Sequence, residues 1–136
     1  MKKYILDASV ILTFLLGNNQ KIEKEFSKIL KLTKTGKIKF YSTYLLPLEV
    51  GNGLRFSLKD KKLASETLEK FSRLPIQLSF FTNPQLTKIL HLSYLFNASF
   101  YDTSYHYLAK FLKGIFLTAD IEYFKKAKSF GQIELL

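Results

Sequence analysis

Four of the chain's eleven acidic residues stand where a carboxylate is costly. Asp7 ends the apolar run Tyr4-Ile5-Leu6 and leads straight into Val10-Ile11-Leu12, while Glu49 lies between Leu48 and Val50. Asp102 follows Phe100-Tyr101, and Asp120 comes just after Ile115-Phe116-Leu117. The other seven acids sit beside lysines, polar residues or a chain end and read as solvated faces or caps. A charge set among apolar groups is expensive unless something meets it. Gathered together, four carboxylates raise one another's pKa and repel unless a cation lies between them. Oxygen donors with no histidine or cysteine suit a hard divalent ion such as Mg²⁺ or Mn²⁺. Such an ion supplies an ionised water and steadies the charge of an in-line phosphoryl displacement. Asn52 shares a helical face with Glu49, three residues on. The hydroxyls of Ser9 and Thr118 steady ligands or cap helices. Each acid alone also has a plainer reading: Asp7 as a helix N-cap, Asp102 and Asp120 as stabilisers of helix starts.

The elements that must position these residues alternate along the chain. A strand ending at Asp7 feeds a helix through Leu16, and Gly17-Asn18-Asn19 breaks the pattern. Ile22, Phe26, Ile29 and Leu30 recur at helical spacing up to Gly36, and Ile38 to Tyr41 reads as a strand. Ser42-Thr43 is expected to cap the next helix, which carries Glu49, Asn52 and two interior glycines, Gly51 and Gly53. Those glycines predict close packing against a neighbouring helix or a second subunit. Asp60 caps a further helix, Ile76 to Phe80 alternates like a strand, and Asn83-Pro84 is expected to start another helix, with Asn83 as its cap. A helix from Phe100 to about Gly114, a strand at Ile115 to Leu117, a helix after Asp120 and a strand over Gln132 to Leu136 complete the chain. Strands separated by helices, with no hairpin signal, predict a parallel sheet covered on both faces. In such a sheet the four acids share the carboxyl edge, where open α/β folds bind ligands.

The 136 residues suit one domain, 1–136. There is no cysteine, which excludes disulfide scaffolds and thiolate sites and fits a cytoplasmic location. The early apolar run lacks a cleavage signal and is shorter than the roughly 20 residues a membrane span needs. With 21 Lys and Arg against 11 Asp and Glu, the net charge of +10 favours a polyanion partner, nucleic acid above all, with an acidic protein as the other reading. A basic surface around an acidic metal pocket reads as a nuclease. Arg55, Lys59, Lys110, Lys113, Lys125 and Lys126 are the candidate contacts to a nucleic-acid backbone. A receiver-like phosphoacceptor domain would need an acid pair after the first strand and an Asp after the third, and neither is present.

Leu6-Asp7-Ala8-Ser9, Leu48-Glu49-Val50-Gly51-Asn52, Tyr101-Asp102-Thr103-Ser104-Tyr105 and Leu117-Thr118-Ala119-Asp120 resemble, in order, the four acidic motifs of the PIN-domain ribonucleases. The likeness is to the VapC-type toxins of toxin–antitoxin pairs in particular, and it runs nearly end to end. It implies a three-layer α/β/α PIN-like fold with a central five-stranded parallel sheet. It also implies a Mg²⁺- or Mn²⁺-dependent endoribonuclease in which Asp7, Glu49, Asp102 and Asp120 hold the metal. Its partners would be an RNA substrate, a cognate antitoxin protein and commonly a second copy of the chain. One position departs from the pattern: many relatives carry a further acid about one turn after the third motif, and here His106 stands at i+4 from Asp102. His106 is expected at the surface, either as an aromatic-like residue or touching a substrate phosphate. The departure keeps open a second reading, a PIN-fold module that binds RNA or protein without cutting.

Overall fold

A computed structural model describes all residues, Met1–Leu136. Its strands are β1 (Lys2–Leu6), β2 (Ile38–Thr43), β3 (Ile76–Ser79), β4 (Ile115–Thr118) and β5 (Ile133–Leu135). Its helices are α1 (Ala8–Leu16), α2 (Gln20–Thr33), α3 (Leu46–Ser57), α4 (Lys61–Ser72), α5 (Asn83–Phe96), α6 (Phe100–Leu112) and α7 (Ile121–Ala127), the last followed by a 3₁₀ turn over Lys128–Phe130. All the strand pairings are parallel, in the order β3-β2-β1-β4-β5. Helices α1 to α4 pack on one another as one layer, and α5 packs on α6, which crosses β1, β2 and β4 as the other. This is the three-layer, five-stranded PIN-like fold expected.

The central strand explains itself. Residues Tyr4, Ile5 and Leu6 are all buried, as a strand covered on both faces requires, and pair with Phe40 and Tyr41 on one side and Ile115 to Leu117 on the other. From β1 the chain winds outward to β2 and β3, then returns to the far side of β1 for β4 and β5. The winding therefore reverses between β1 and β4. Ligand crevices in open parallel sheets form at that reversal, beyond the carboxyl ends of the strands. Asp7 ends one of the two strands and Asp120 follows the other.

Two expected caps are corrected. Ser42 and Thr43 are not helix caps but the fully buried end of β2, paired with Leu78 and Ser79. The Ser42 hydroxyl donates to Leu6 O at 2.6 Å, and α3 starts at Leu46 with no side-chain cap. At α5 the N-cap is Thr82 rather than Asn83, because Thr82 and Gln85 form a reciprocal capping box ahead of Pro84. The two helical glycines also divide. A Cβ on Gly53 would lie 2.3 Å from Leu12 Cδ1 of α1, whereas one on Gly51 would meet nothing within 4 Å.

Candidate active site

Asp7 serves as the N-cap of α1, accepting the Val10 N–H at 3.1 Å, but that occupies only one of its oxygens. Ser9 Oγ donates to Oδ1 at 2.6 Å and Thr118 Oγ1 donates to Oδ2 at 2.6 Å. Both hydroxyls are themselves aimed by backbone: Ala119 N–H donates to Ser9 Oγ at 3.0 Å and Asp120 N–H to Thr118 Oγ1 at 3.1 Å. The loop after β4 thus orients two donors toward the acid at the end of β1. Asp7 is only 6% exposed. Burial pushes its pKa up to about 6, the Ser9, Thr118 and Val10 bonds oppose that, and the charge of Asp102 adds to it.

The other three acids approach from helix starts. Glu49, in the first turn of α3, is half-buried, and the Tyr105 hydroxyl donates to its Oε1 at 2.7 Å. Burial raises its pKa, the Tyr105 bond lowers it and the charge of Asp102 raises it. Asp102 lies in the first turn of α6, and the Ser99 cap, accepting its N–H at 3.0 Å, fixes the start of that helix. Its pKa is raised by burial and, more weakly, by Asp120, against lowering by Ser99 and Lys126. Asp120 caps α7 by accepting the Tyr123 N–H at 3.0 Å. Asp102 is therefore the acid whose charge reaches both Asp7 and Glu49 and which feels Asp120.

The shape of the surface groups them in pairs. Asp102 and Asp120 line one polar hollow of about 220 Å³ with Ser99, Tyr123 and Lys126. Glu49 and Asn52 line another of about 190 Å³ with Leu45, Leu48 and Tyr101. As the side chains stand, no three of the chain's Asp, Glu or His residues converge closely enough to hold one metal ion. In donor chemistry the set nevertheless fits a hard cation. It is all oxygen, three of the four acids are pushed toward protonation, and none makes an ion pair. That last point is unexpected among 21 cationic side chains; the one salt bridge in the chain is the exposed pair Arg73–Glu69.

The remaining candidates scatter. Arg55 and Lys59 line a separate hollow of about 530 Å³ between α3 and α4, together with Leu54, Leu58, Lys61 and Leu68. Lys110 lies over the Phe130 ring at 4.5 Å, and Lys113 is the left-handed C-cap of α6. Lys113 stands eleven residues from Asp102, about 16 Å along the helix axis. Lys125 is exposed on α7, and its neighbour Lys126 is the lysine at the acidic hollow, its Nζ donating to Asn97 O at 3.0 Å.

His106 is not at the surface and cannot touch a substrate. It is fully buried, with Nε2 2.7 Å from Gly131 O and Nδ1 2.9 Å from Tyr123 Oη. The carbonyl can only accept, so Nε2 carries the proton and the Tyr123 hydroxyl donates to Nδ1. Phe96, Phe116 and Phe130 surround the ring. Sequence spacing from Asp102 pointed to the wrong neighbour: Tyr105, at i+3, is the residue of α6 that reaches another acid.

No family model matches the sequence, and no curated protein does. Solved structures match over nearly the whole chain. PAE2754 from Pyrobaculum aerophilum is 24% identical, with a TM-score of 0.65, covering 92% of this chain and 84% of its own. A chain of VapBC2 from Rickettsia felis, crystallised bound to a DNA fragment from its promoter, is 13% identical with a TM-score of 0.70, covering 98% and 97%. A chain of VapBC-1 from nontypeable Haemophilus influenzae is also 13% identical, with a TM-score of 0.66 and the same coverage. At these identities the likeness is one of architecture: this chain has the fold of the PAE2754 and VapBC structures from end to end.

Proposed function

We propose that the chain is a divalent-cation-dependent endoribonuclease and the toxin of a toxin–antitoxin pair, acting in the cytoplasm. The observation that carries this reading is the unpaired acid set at the winding reversal of the sheet. Burial and mutual charge raise the pKa of Asp7, Glu49 and Asp102, and no lysine or arginine forms an ion pair with them, Lys126 offsetting only part of the shift at Asp102. Asp7, Glu49, Asp102 and Asp120 would hold Mg²⁺ or Mn²⁺, which would supply an ionised water and charge stabilisation for phosphodiester hydrolysis. Ser9 and Thr118 keep Asp7 oriented, and Asn52 flanks Glu49 on the substrate side. Lys126 meets the RNA backbone at the rim, and the charge of +10 gathers the strand from solution.

The apolar floor and the Arg55, Lys59 and Lys61 rim of the α3–α4 hollow suit an acidic amphipathic segment of the antitoxin. The exposed Leu90, Tyr94 and Leu95 of α5 give a second copy of the chain an apolar face to cover. Asp102→Asn should abolish metal-dependent cleavage of an RNA panel while the circular dichroism spectrum stays unchanged. Full cleavage by that variant overturns the reading. A binding module that does not cut is favoured by one observation, the unconverged acids; an RNA panel left intact by the wild type in both Mg²⁺ and Mn²⁺ would establish it.

A further inference from the structure

We propose that Tyr105 is a positioning residue, whose hydroxyl fixes the Glu49 carboxylate against the fold and so sets the affinity for the divalent cation. The inference rests on the metal-site reading above and concerns a residue that takes no part in ligation itself.

Tyr105 is fully buried, and its ring lies parallel to that of Phe116 in β4, with centroids 6.0 Å apart and planes within 17°. For the core alone a phenylalanine would fill the same space. It would bring no hydroxyl to be desolvated, and a buried hydroxyl costs stability unless it is bonded. It donates to Glu49 Oε1, at 2.7 Å and 56 residues away in sequence, with the buried Thr43 hydroxyl as its other polar neighbour. A carboxylate has no proton to give, so the hydroxyl is the donor. The stacked, buried ring has no freedom to follow the carboxylate, so the carboxylate is the partner that is held. Glu49 otherwise stands half-buried in the first turn of α3, beside the exposed Leu48 and Asn52, with no other hydrogen-bond partner and no ion pair. Without Tyr105 its side chain would regain the rotamers that a cation must then freeze out. Tyr105 also follows Asp102 by three residues on α6, so a single helix carries one acid and the clamp on another. The placement of two acids from different layers is thereby tied to one rigid element.

The test is Mn²⁺ binding without RNA, measured by calorimetry on wild type, Tyr105→Phe, Glu49→Gln and the double variant. Loss of a group that orients a metal ligand typically weakens metal binding about 10-fold or more, and Tyr105→Phe is expected to do the same. In the Glu49→Gln background the same change should have no further effect. The rise in melting temperature on adding Mn²⁺, smaller in Tyr105→Phe than in wild type, gives a readout that survives any loss of intrinsic stability. Wild-type affinity in Tyr105→Phe, or an equal weakening with and without Glu49, overturns the role of Tyr105 and leaves the metal site standing. A wild type that takes up no Mn²⁺ overturns both.

Discussion

Asp7 and His106 are buried ionisable residues with opposite pH signatures. The carboxyl of Asp7 is shifted from 3.8 to about 6, so the folded chain binds a proton there that the unfolded chain has already lost. Its contribution is fully present below pH ~4 and is lost as pH rises through about 6, a difference of about 3 kcal/mol. Asp7→Asn should therefore melt higher than wild type at pH 8, with the gap closing below pH ~4. A lower melting temperature at pH 8 would show that the Ser9 and Thr118 hydroxyls cannot reorganise around an amide. His106 runs the other way: burial lowers its pKa, so the folded state holds it neutral and loses stability as pH falls below the ordinary histidine value of 6.5. Its two bonds join α6 to Tyr123 and to the Gly131 turn, and His106→Ala should cost on the order of 2–4 kcal/mol in a denaturant titration.

At the scale of elements, two glycines in different settings offer a controlled comparison. Gly51 faces open space, so Gly51→Ala should stabilise the chain by roughly 1 kcal/mol through helix propensity alone. Gly114 is the contrary case, since a Cβ there would lie 2.8 Å from the backbone oxygen of Lys3 and 2.7 Å from Ile5 Cδ1. Gly114→Ala must push β4 off β1 and should cost about 1–3 kcal/mol, read by the same titration. The order of elements was legible from spacing because each strand is a short apolar run and each helix carries its own periodicity. The ends of elements were not always so. Ser42 and Thr43 have the residue types of a cap, yet both are buried and paired in the sheet, where tertiary pairing outweighs local preference. The site followed the same division. Four acids stood out by their apolar company, but the pairing of Tyr105 with Glu49 joins residues 56 apart, and nothing local marks it. His106 was misplaced because i+4 spacing fixes a helical face and not what that face packs against.

For the whole molecule the governing quantity is charge. A net +10 with a single ion pair leaves the basic surface uncompensated. RNA affinity should fall steeply and linearly in log–log form as salt rises, and a binding constant flat across salt would exclude the backbone as the main contact. No helix of the chain is long and apolar enough to cross a membrane. The parallel sheet also gives the molecule two unlike poles. Met1 lies at the amino end of β1, about 20 Å of extended chain away from Asp7. Leu136, by contrast, donates its N–H to Thr118 O at 2.9 Å, on the very residue whose hydroxyl holds Asp7. A change that loosens Leu136 from Thr118 therefore disturbs the scaffold of the acids, while one at Lys2 acts a strand's length away from them.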